Sequence, residues 1–242
     1  MNPYLAELLG TLLLVLFGDG VVANVVLSRS KGQNGGWIVI AAGWACAVTV
    51  AVYAVNAVSG AHLNPAVTIG LASIGKFQWA RVPGYILAQT IGAFLGSVLV
   101  WLTYLPHWPL TEDKGLKLAV FCTGPAVRRP LANVVSEAIA TAALVGGLLT
   151  VLTPKNLVPN SGFESAFAPL LVGIIVFAVG LSLGGSTGYA INPARDLGPR
   201  LAHALLPIPG KGSSDWGYAW VPVIGPIIGA VIGAWVYVVL WT

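Results

Sequence analysis

Read as a pattern of apolar and polar positions, the chain falls into six long apolar runs separated by short polar connections. The runs are Pro3 to Leu27, Trp37 to Val58, Val82 to Tyr104, Leu131 to Leu152, Ala166 to Leu183 and Tyr218 to Trp241. Each suits a helix crossing a bilayer core about 30 Å thick. Two further apolar pieces, Asn64 to Ile74 and Asn192 to Leu206, are too short to cross alone. Both open on Asn-Pro-Ala, where a proline within an apolar stretch ought to break a spanning helix. Asn is a preferred helix N-cap and Pro is at home at the first helical position, so each tripeptide instead starts a short helix inside the membrane. The pattern predicts an all-α membrane protein of six transmembrane helices and two re-entrant half-helices that meet near the bilayer midplane.

The two short pieces belong to a duplication. Ser59 to Ala66 parallels Thr187 to Ala194 in position and character, Glu7 and Glu137 precede them at similar distances, and Ile91-Gly92-Ala93 with Gly96 is echoed by Ile228-Gly229-Ala230 with Gly233. With three spans per copy, the second copy inserts upside down relative to the first, as in the inverted repeats of transport folds. The expectation is one channel domain, 1–242, with a first repeat over about 1–125 and a second over about 126–242. The glycines at 92 and 96, and at 225, 229 and 233, form small-residue stripes along which helix backbones approach closely.

Composition agrees with the membrane reading: 57% of residues are hydrophobic and 8% charged, with a mean hydropathy of +0.84, against roughly 25% charged in a soluble domain. The net charge of +4 is scattered through the connections without a basic run, which argues against a nucleic-acid partner. Cys46 lies in a span and Cys122 in a connection, so neither a disulfide framework nor a metal cluster is indicated. The first apolar run lacks a basic leader and is longer than a signal-peptide core, so it is expected to be retained as a helix. The connection from Leu105 to Pro130, with Glu112, Asp113, Lys114, Lys117, Arg128 and Arg129, is expected to be an exposed, solvated loop.

The half-helices carry the chemistry. Each N-terminal end presents unsatisfied N–H groups and a positive dipole end, so two ends facing each other repel cations, hydronium included. The carboxamides of Asn64 and Asn192 each supply two N–H donors suited to a passing hydroxyl or water. The residues just upstream, Gly60, Ala61 and His62 in one copy and Gly188, Tyr189 and Ala190 in the other, are extended, and irregular backbone at membrane depth lines a cavity or is buried in protein. Their carbonyls are therefore expected to form a ladder of acceptors along a pore. His62 has no partner His or Cys nearby for a metal and is read as pore-lining or loop-bracing. An arginine inside a membrane is expensive, which makes Arg195 a functional candidate: its five donors suit solute hydroxyls and its charge repels cations. Arg200 is expected at the surface or interface. Asp19, in Gly18-Asp19-Gly20, has no counterpart in the second repeat; a vestibule and a subunit interface are both open to it. No nucleophile and base, carboxylate pair or metal constellation is recognisable, so an enzyme is not expected.

Ser59 to Ala66 followed by Val67, and Gly188 to Ala194 followed by Arg195, resemble the major intrinsic proteins, the aquaporin family, over essentially the whole chain. Asp196 directly after Arg195 resembles the glycerol-facilitator, or aquaglyceroporin, branch. The resemblance implies a passive channel with one pore per subunit in a homotetramer, no cofactor, and glutamates at 7 and 137 that brace the re-entrant loops, with Asp196 as further loop support. It also implies a four-residue selectivity filter of Trp44, Gly180, Tyr189 and Arg195. Gly180 leaves room where water-selective relatives usually carry histidine, and Trp44 and Tyr189 offer an apolar wall opposite the donors of Arg195. A linear polyol, with one edge of hydroxyls and one of carbons, matches such a slot. Tyr189 departs from the phenylalanine common in glycerol facilitators. The expected solutes are glycerol and similar polyols with some water, and also dihydroxyacetone, urea or protonated lactic acid; a water-selective pore and a coupled secondary transporter are the competing readings. The resemblance places the protein in the plasma membrane with both termini cytoplasmic. Charge bias alone points the other way, because Lys76, Arg81 and Lys155 would then lie inside against Arg29, Lys31, Lys114, Lys117, Arg128, Arg129 and Lys211 outside.

Overall fold

The computed structural model describes residues 1–152 and 163–242; Lys155 lies outside them. In chain order the helices are α1 (Pro3–Val26), α2 (Trp37–Ser59), α3 (Pro65–Ser73), α4 (Val82–Thr103), α5 (Lys114–Phe121), α6 (Pro130–Val151), α7 (Phe163–Leu183), α8 (Pro193–Leu205) and α9 (Val221–Trp241). Six of these, all but α3, α5 and α8, are long and apolar enough to cross a membrane. Large apolar side chains such as Leu87, Leu131 and Val239 stand exposed along them, a surface that suits hydrocarbon better than water.

Local chemistry explains where these helices begin and end. Asn2 caps α1 by accepting the Leu5 N–H at 2.8 Å, with Pro3 in the first turn. Prolines also open α3, α6 and α8, where their missing N–H costs nothing. Gly60 ends α2 in the left-handed conformation, φ 80°, which a residue without a Cβ adopts freely.

The two halves pack in the same pattern. α1 lies against α2 and α4, and α6 against α7 and α9. The half-helices cross between halves: α3 packs on α9, and α8 packs on α4. The glycine stripes explain how close the long helices come. A Cβ at Gly92 would stand 2.2 Å from the Leu8 carbonyl oxygen, and one at Gly229 would stand 2.1 Å from that of Ala138. Both obstacles are backbone, so Gly229→Val must push α9 off α6. Its expected cost is at or above the ~1–3 kcal/mol typical of overpacking. The thermal midpoint of the purified protein in detergent should fall, whereas Gly217→Ala, which faces open space, should leave it unchanged.

The connection from Leu105 to Pro130 is not the solvated loop that its charges predict. Asp113 caps α5 by accepting the N–H groups of Gly115 and Leu116, and α5 packs on α1 and α8. Trp108 and Phe121 are buried and stacked, and Lys117 is 3% exposed with its ammonium on the Pro209 carbonyl. The charged residues fall in two groups, 112–117 and 128–129, and the buried Trp108 and Phe121 lie on either side of the first, so the charges mask short apolar pieces.

Candidate functional site

The two loops that lead into the half-helices have the same backbone. Positive φ occurs at Gly60, Ala61 and Leu63 in one, and at Gly188, Tyr189 and Ile191 in the other. L-residues rarely hold such conformations, and each costs on the order of 1–3 kcal/mol. Buried carboxylates hold them in place. Glu7 accepts the N–H groups of His62 and Leu63 at 3.0 and 2.7 Å, together with the Ser59 hydroxyl and the Gln89 amide. Glu137 accepts the N–H groups of Ala190 and Ile191, both at 2.9 Å, together with the Thr187 hydroxyl. With its N–H groups turned into the protein, each loop is free to turn carbonyls the other way.

At the junction, each asparagine does two things. Asn64 caps α3 through its carboxamide oxygen on the Ala66 N–H at 2.8 Å and donates its amide to the Ile191 carbonyl at 2.8 Å. Asn192 caps α8 on the N–H groups of Ala194 and Arg195 and donates to the Leu63 carbonyl at 2.8 Å. The half-helices are thereby joined N-terminus to N-terminus, each end carrying about half a positive elementary charge. One of the two amide hydrogens of each asparagine is spent on the opposite loop, so one rather than two remains for a solute.

Both asparagines line a cavity of about 320 Å³. Its wall along α2 comprises Trp44, Val48, Val52 and Asn56, four residues on one helix face at i, i+4 spacing that extend over roughly 18 Å. On α7, Ala168, Val172 and Val176 repeat that spacing. Gly60, Ala61, His62, Tyr189 and Ala190 contribute from the loops, and Arg195 from α8. The lining is therefore amphipathic: mostly apolar helix side chains, with polar groups from the loops, the two carboxamides and a guanidinium. A Cβ at Gly188 would meet Thr123 at 3.4 Å.

Arg195 is 7% exposed, and its guanidinium lies over the Trp44 ring at 4.1 Å. Gly180 is the next i+4 position on the α7 face. The Tyr189 ring covers it: a Cβ there would lie 2.9 Å from Tyr189 Cζ and 3.1 Å from its hydroxyl. Trp37 completes this corner, donating its indole N–H to the Gly180 carbonyl at 2.9 Å and meeting Tyr189 edge-on at 5.7 Å. The Tyr189 hydroxyl has no hydrogen-bond partner among the described residues. The room that glycine leaves at 180 is thus occupied by tyrosine, and nothing in the local sequence joins Trp37 to Gly180.

Arg200 is fully buried, contrary to its expected surface position. Its Nε donates to Asp196 at 2.8 Å, its Nη1 to the carbonyls of Ser214 and Asp215, and its Nη2 to the Thr123 carbonyl and Asp196. Asp196 also accepts the N–H and hydroxyl of Thr123. The carboxylate therefore ties α8 to the connection after α5, and its cationic partner is Arg200 rather than Arg195. The i, i+4 spacing of Asp196 and Arg200 was the available signal. Asp19 faces Arg195 from α1 at 3.9 Å, which places it neither in a vestibule nor at a subunit interface.

An amphipathic cavity inside a bundle of six membrane-spanning helices, with two helix N-termini meeting in its wall, is a membrane channel. The chain belongs to the major intrinsic protein family, whose profile, described as "Major intrinsic protein", matches residues 1–237. It is 62% identical over 226 residues to the "Probable glycerol uptake facilitator protein" of Thermotoga maritima, covering 93% of this chain and 94% of that one. It is 54% identical over 226 residues to the "Glycerol uptake facilitator protein" of Bacillus subtilis, covering 93% of this chain and 80% of that one. The X-ray structure of the aquaglyceroporin from Plasmodium falciparum superposes with a TM-score of 0.86 at 31% identity, over 97% of this chain and 94% of that one. The protein is a multi-pass integral membrane channel, not an enzyme.

Proposed function

We propose that this channel passes glycerol and similar small polyols, with some water, down their gradients, and that it excludes ions and protons. The amphipathic cavity carries this reading: a polyol sliding along it keeps its carbons on Val48, Val52, Val172 and Val176 while its hydroxyls exchange among loop carbonyls, Asn64, Asn192 and Arg195. Water has no carbon edge, so it gains nothing from the apolar wall. In this reading Trp44, Gly180, Tyr189 and Arg195 form the selectivity filter, with Gly180 acting through the Tyr189 ring it seats. Glu7, Glu137 and Asp196 support the loops. The paired N-termini of α3 and α8 together with Arg195 supply the barrier to cations.

Dihydroxyacetone, urea and protonated lactic acid share glycerol's small size and neutrality and belong to the same solute class. The names of the relatives from Thermotoga maritima and Bacillus subtilis support glycerol within it. We also assign the chain to the plasma membrane with both termini in the cytoplasm, as a homotetramer whose subunits are single channel domains with repeats over about 1–125 and 126–242.

Arg195→Val tests the filter. In proteoliposomes followed by stopped-flow light scattering, it is expected to lower the glycerol-to-water permeability ratio about tenfold, equivalent to ~1.4 kcal/mol of lost solute stabilisation. A ratio that matches the unsubstituted protein would contradict the proposed filter.

A further inference from the structure

Asp19 is a carboxylate within a spanning helix, fully buried. Its Oδ2 accepts the Ser97 hydroxyl of α4 at 2.8 Å, while Oδ1 accepts no hydrogen bond. That free oxygen lies 3.9 Å from Arg195 Nη1, which likewise has no hydrogen-bond partner among the described residues. We infer that Asp19 is a positioning residue for the filter: a buried counter-charge that draws the buried Nη1 side of the Arg195 guanidinium toward α1 and so holds it against Trp44, leaving its other nitrogens for solute. The inference rests on the reading of Arg195 as a filter residue.

The separation marks the contact as electrostatic. At 3.9 Å the pair is too far apart for a hydrogen bond, yet closer than two groups bridged by a water. Attraction between unlike charges acts strongly over such a distance in a medium of low dielectric, so the guanidinium is drawn toward α1 without being locked. The neighbouring residue prepares the other side of the same seat. A Cβ at Gly18 would stand 2.2 Å from Trp44 Cζ3, so the α1 backbone is the floor under the ring over which Arg195 lies. Consecutive residues of one helix thus locate both the ring and the cation.

The duplication supplies an independent argument. Val67 follows the first Asn-Pro-Ala where Arg195 follows the second, and the α6 position corresponding to Asp19, in the register that aligns Glu7 with Glu137, is Leu149. Val67 and Leu149 pack in one apolar cluster. The ion pair in one half of the molecule is therefore matched by an apolar pair in the other, and its two charges are present or absent together. Asp19 accompanies Arg195 as its complement. A lone arginine there would be a buried charge facing only an aromatic ring, which is far more costly than a paired one.

The test is a double-mutant cycle in proteoliposomes, using Asp19→Asn, which keeps the size of the side chain and an acceptor for Ser97 while removing the charge. Asp19→Asn alone is expected to lower the glycerol-to-water permeability ratio by about threefold or more, and to change it by less than about 1.3-fold when Arg195 is already valine. An unchanged ratio in the otherwise native protein, or an equal fall in both backgrounds, would overturn the inference; the second result is what a purely structural role gives. The cycle also has a stability readout: Asp19→Asn should raise the thermal midpoint of Arg195→Val, whose aspartate is left unpaired, and lower that of the native channel. Should Asp19→Asn alone yield no folded protein, Ser97→Ala, which unpins the carboxylate, is expected to lower the ratio by a smaller factor in the native background only, and is judged by the same criteria. If Arg195→Val alone leaves the ratio intact, the filter reading falls and this inference with it. If Arg195→Val lowers the ratio and Asp19→Asn does not, only the role of Asp19 falls.

Discussion

Gly180→His is expected to lower glycerol permeability by at least about tenfold while water permeability falls by less than about threefold, because a narrower pore rejects the wider solute first. The reason lies in how Tyr189 is boxed in. A Cβ at Gly180 would sit 2.9 Å from the ring, and one at Gly184 would sit 2.5 Å from it. Trp37 stands edge-on at 5.7 Å. With α7 and Trp37 on those sides, the open direction for a displaced ring is the cavity that Tyr189 already lines. Histidine therefore acts twice, adding its own bulk and driving the tyrosine into the slot. Gly180→Ala, with one methyl group to accommodate, should lower glycerol permeability by an intermediate factor. Stopped-flow light scattering with each solute reads both effects. Equal losses for glycerol and water, or unchanged glycerol flux, would count against the slot.

Asp196→Ala is expected to have the largest effect on stability. It leaves the fully buried Arg200 with carbonyl partners but without its hydrogen-bonded counter-charge, and it frees the N–H and hydroxyl of Thr123. Breaking a buried pair by removing one member costs about 3–5 kcal/mol, a large part of the stability of most domains. Little monodisperse protein should survive extraction, and what does should lose its native elution profile at a markedly lower temperature on size-exclusion chromatography after heating. Removing both charges with Asp196→Ala and Arg200→Met should recover much of the loss, since an apolar pair carries no desolvation cost. Native thermal behaviour of Asp196→Ala would show that the pair does not anchor α8.

The features legible in the sequence are those fixed by neighbours along the chain. Helix starts at Asn64-Pro65 and Asn192-Pro193 follow from capping, and spans follow from apolar length. The mirrored pattern around the two tripeptides follows from duplication. Features that depend on partners distant in sequence were hidden. Arg200 reads as a surface charge because its acceptors at Thr123, Ser214 and Asp215 lie on other segments. Gly180 reads as empty space because the tyrosine that fills it comes from the loop before α8. The segment around Trp108 and Phe121 reads as solvated because the charges at 112–117 between them outweigh the short apolar pieces on either side. Asp19 stood out in sequence as a lone acid in a span, but only the fold brings it to Arg195.

Glycerol is expected to cross through this protein down its own gradient. Glycerol permeability of proteoliposomes against protein-free liposomes, measured by stopped-flow light scattering with and without a protonophore, tests it most directly. The expected glycerol flux is well above that of protein-free liposomes, proportional to the glycerol gradient without saturation and unchanged by the protonophore. A flux no faster than that of protein-free liposomes, or one that saturates and collapses when the proton gradient is dissipated, would contradict it.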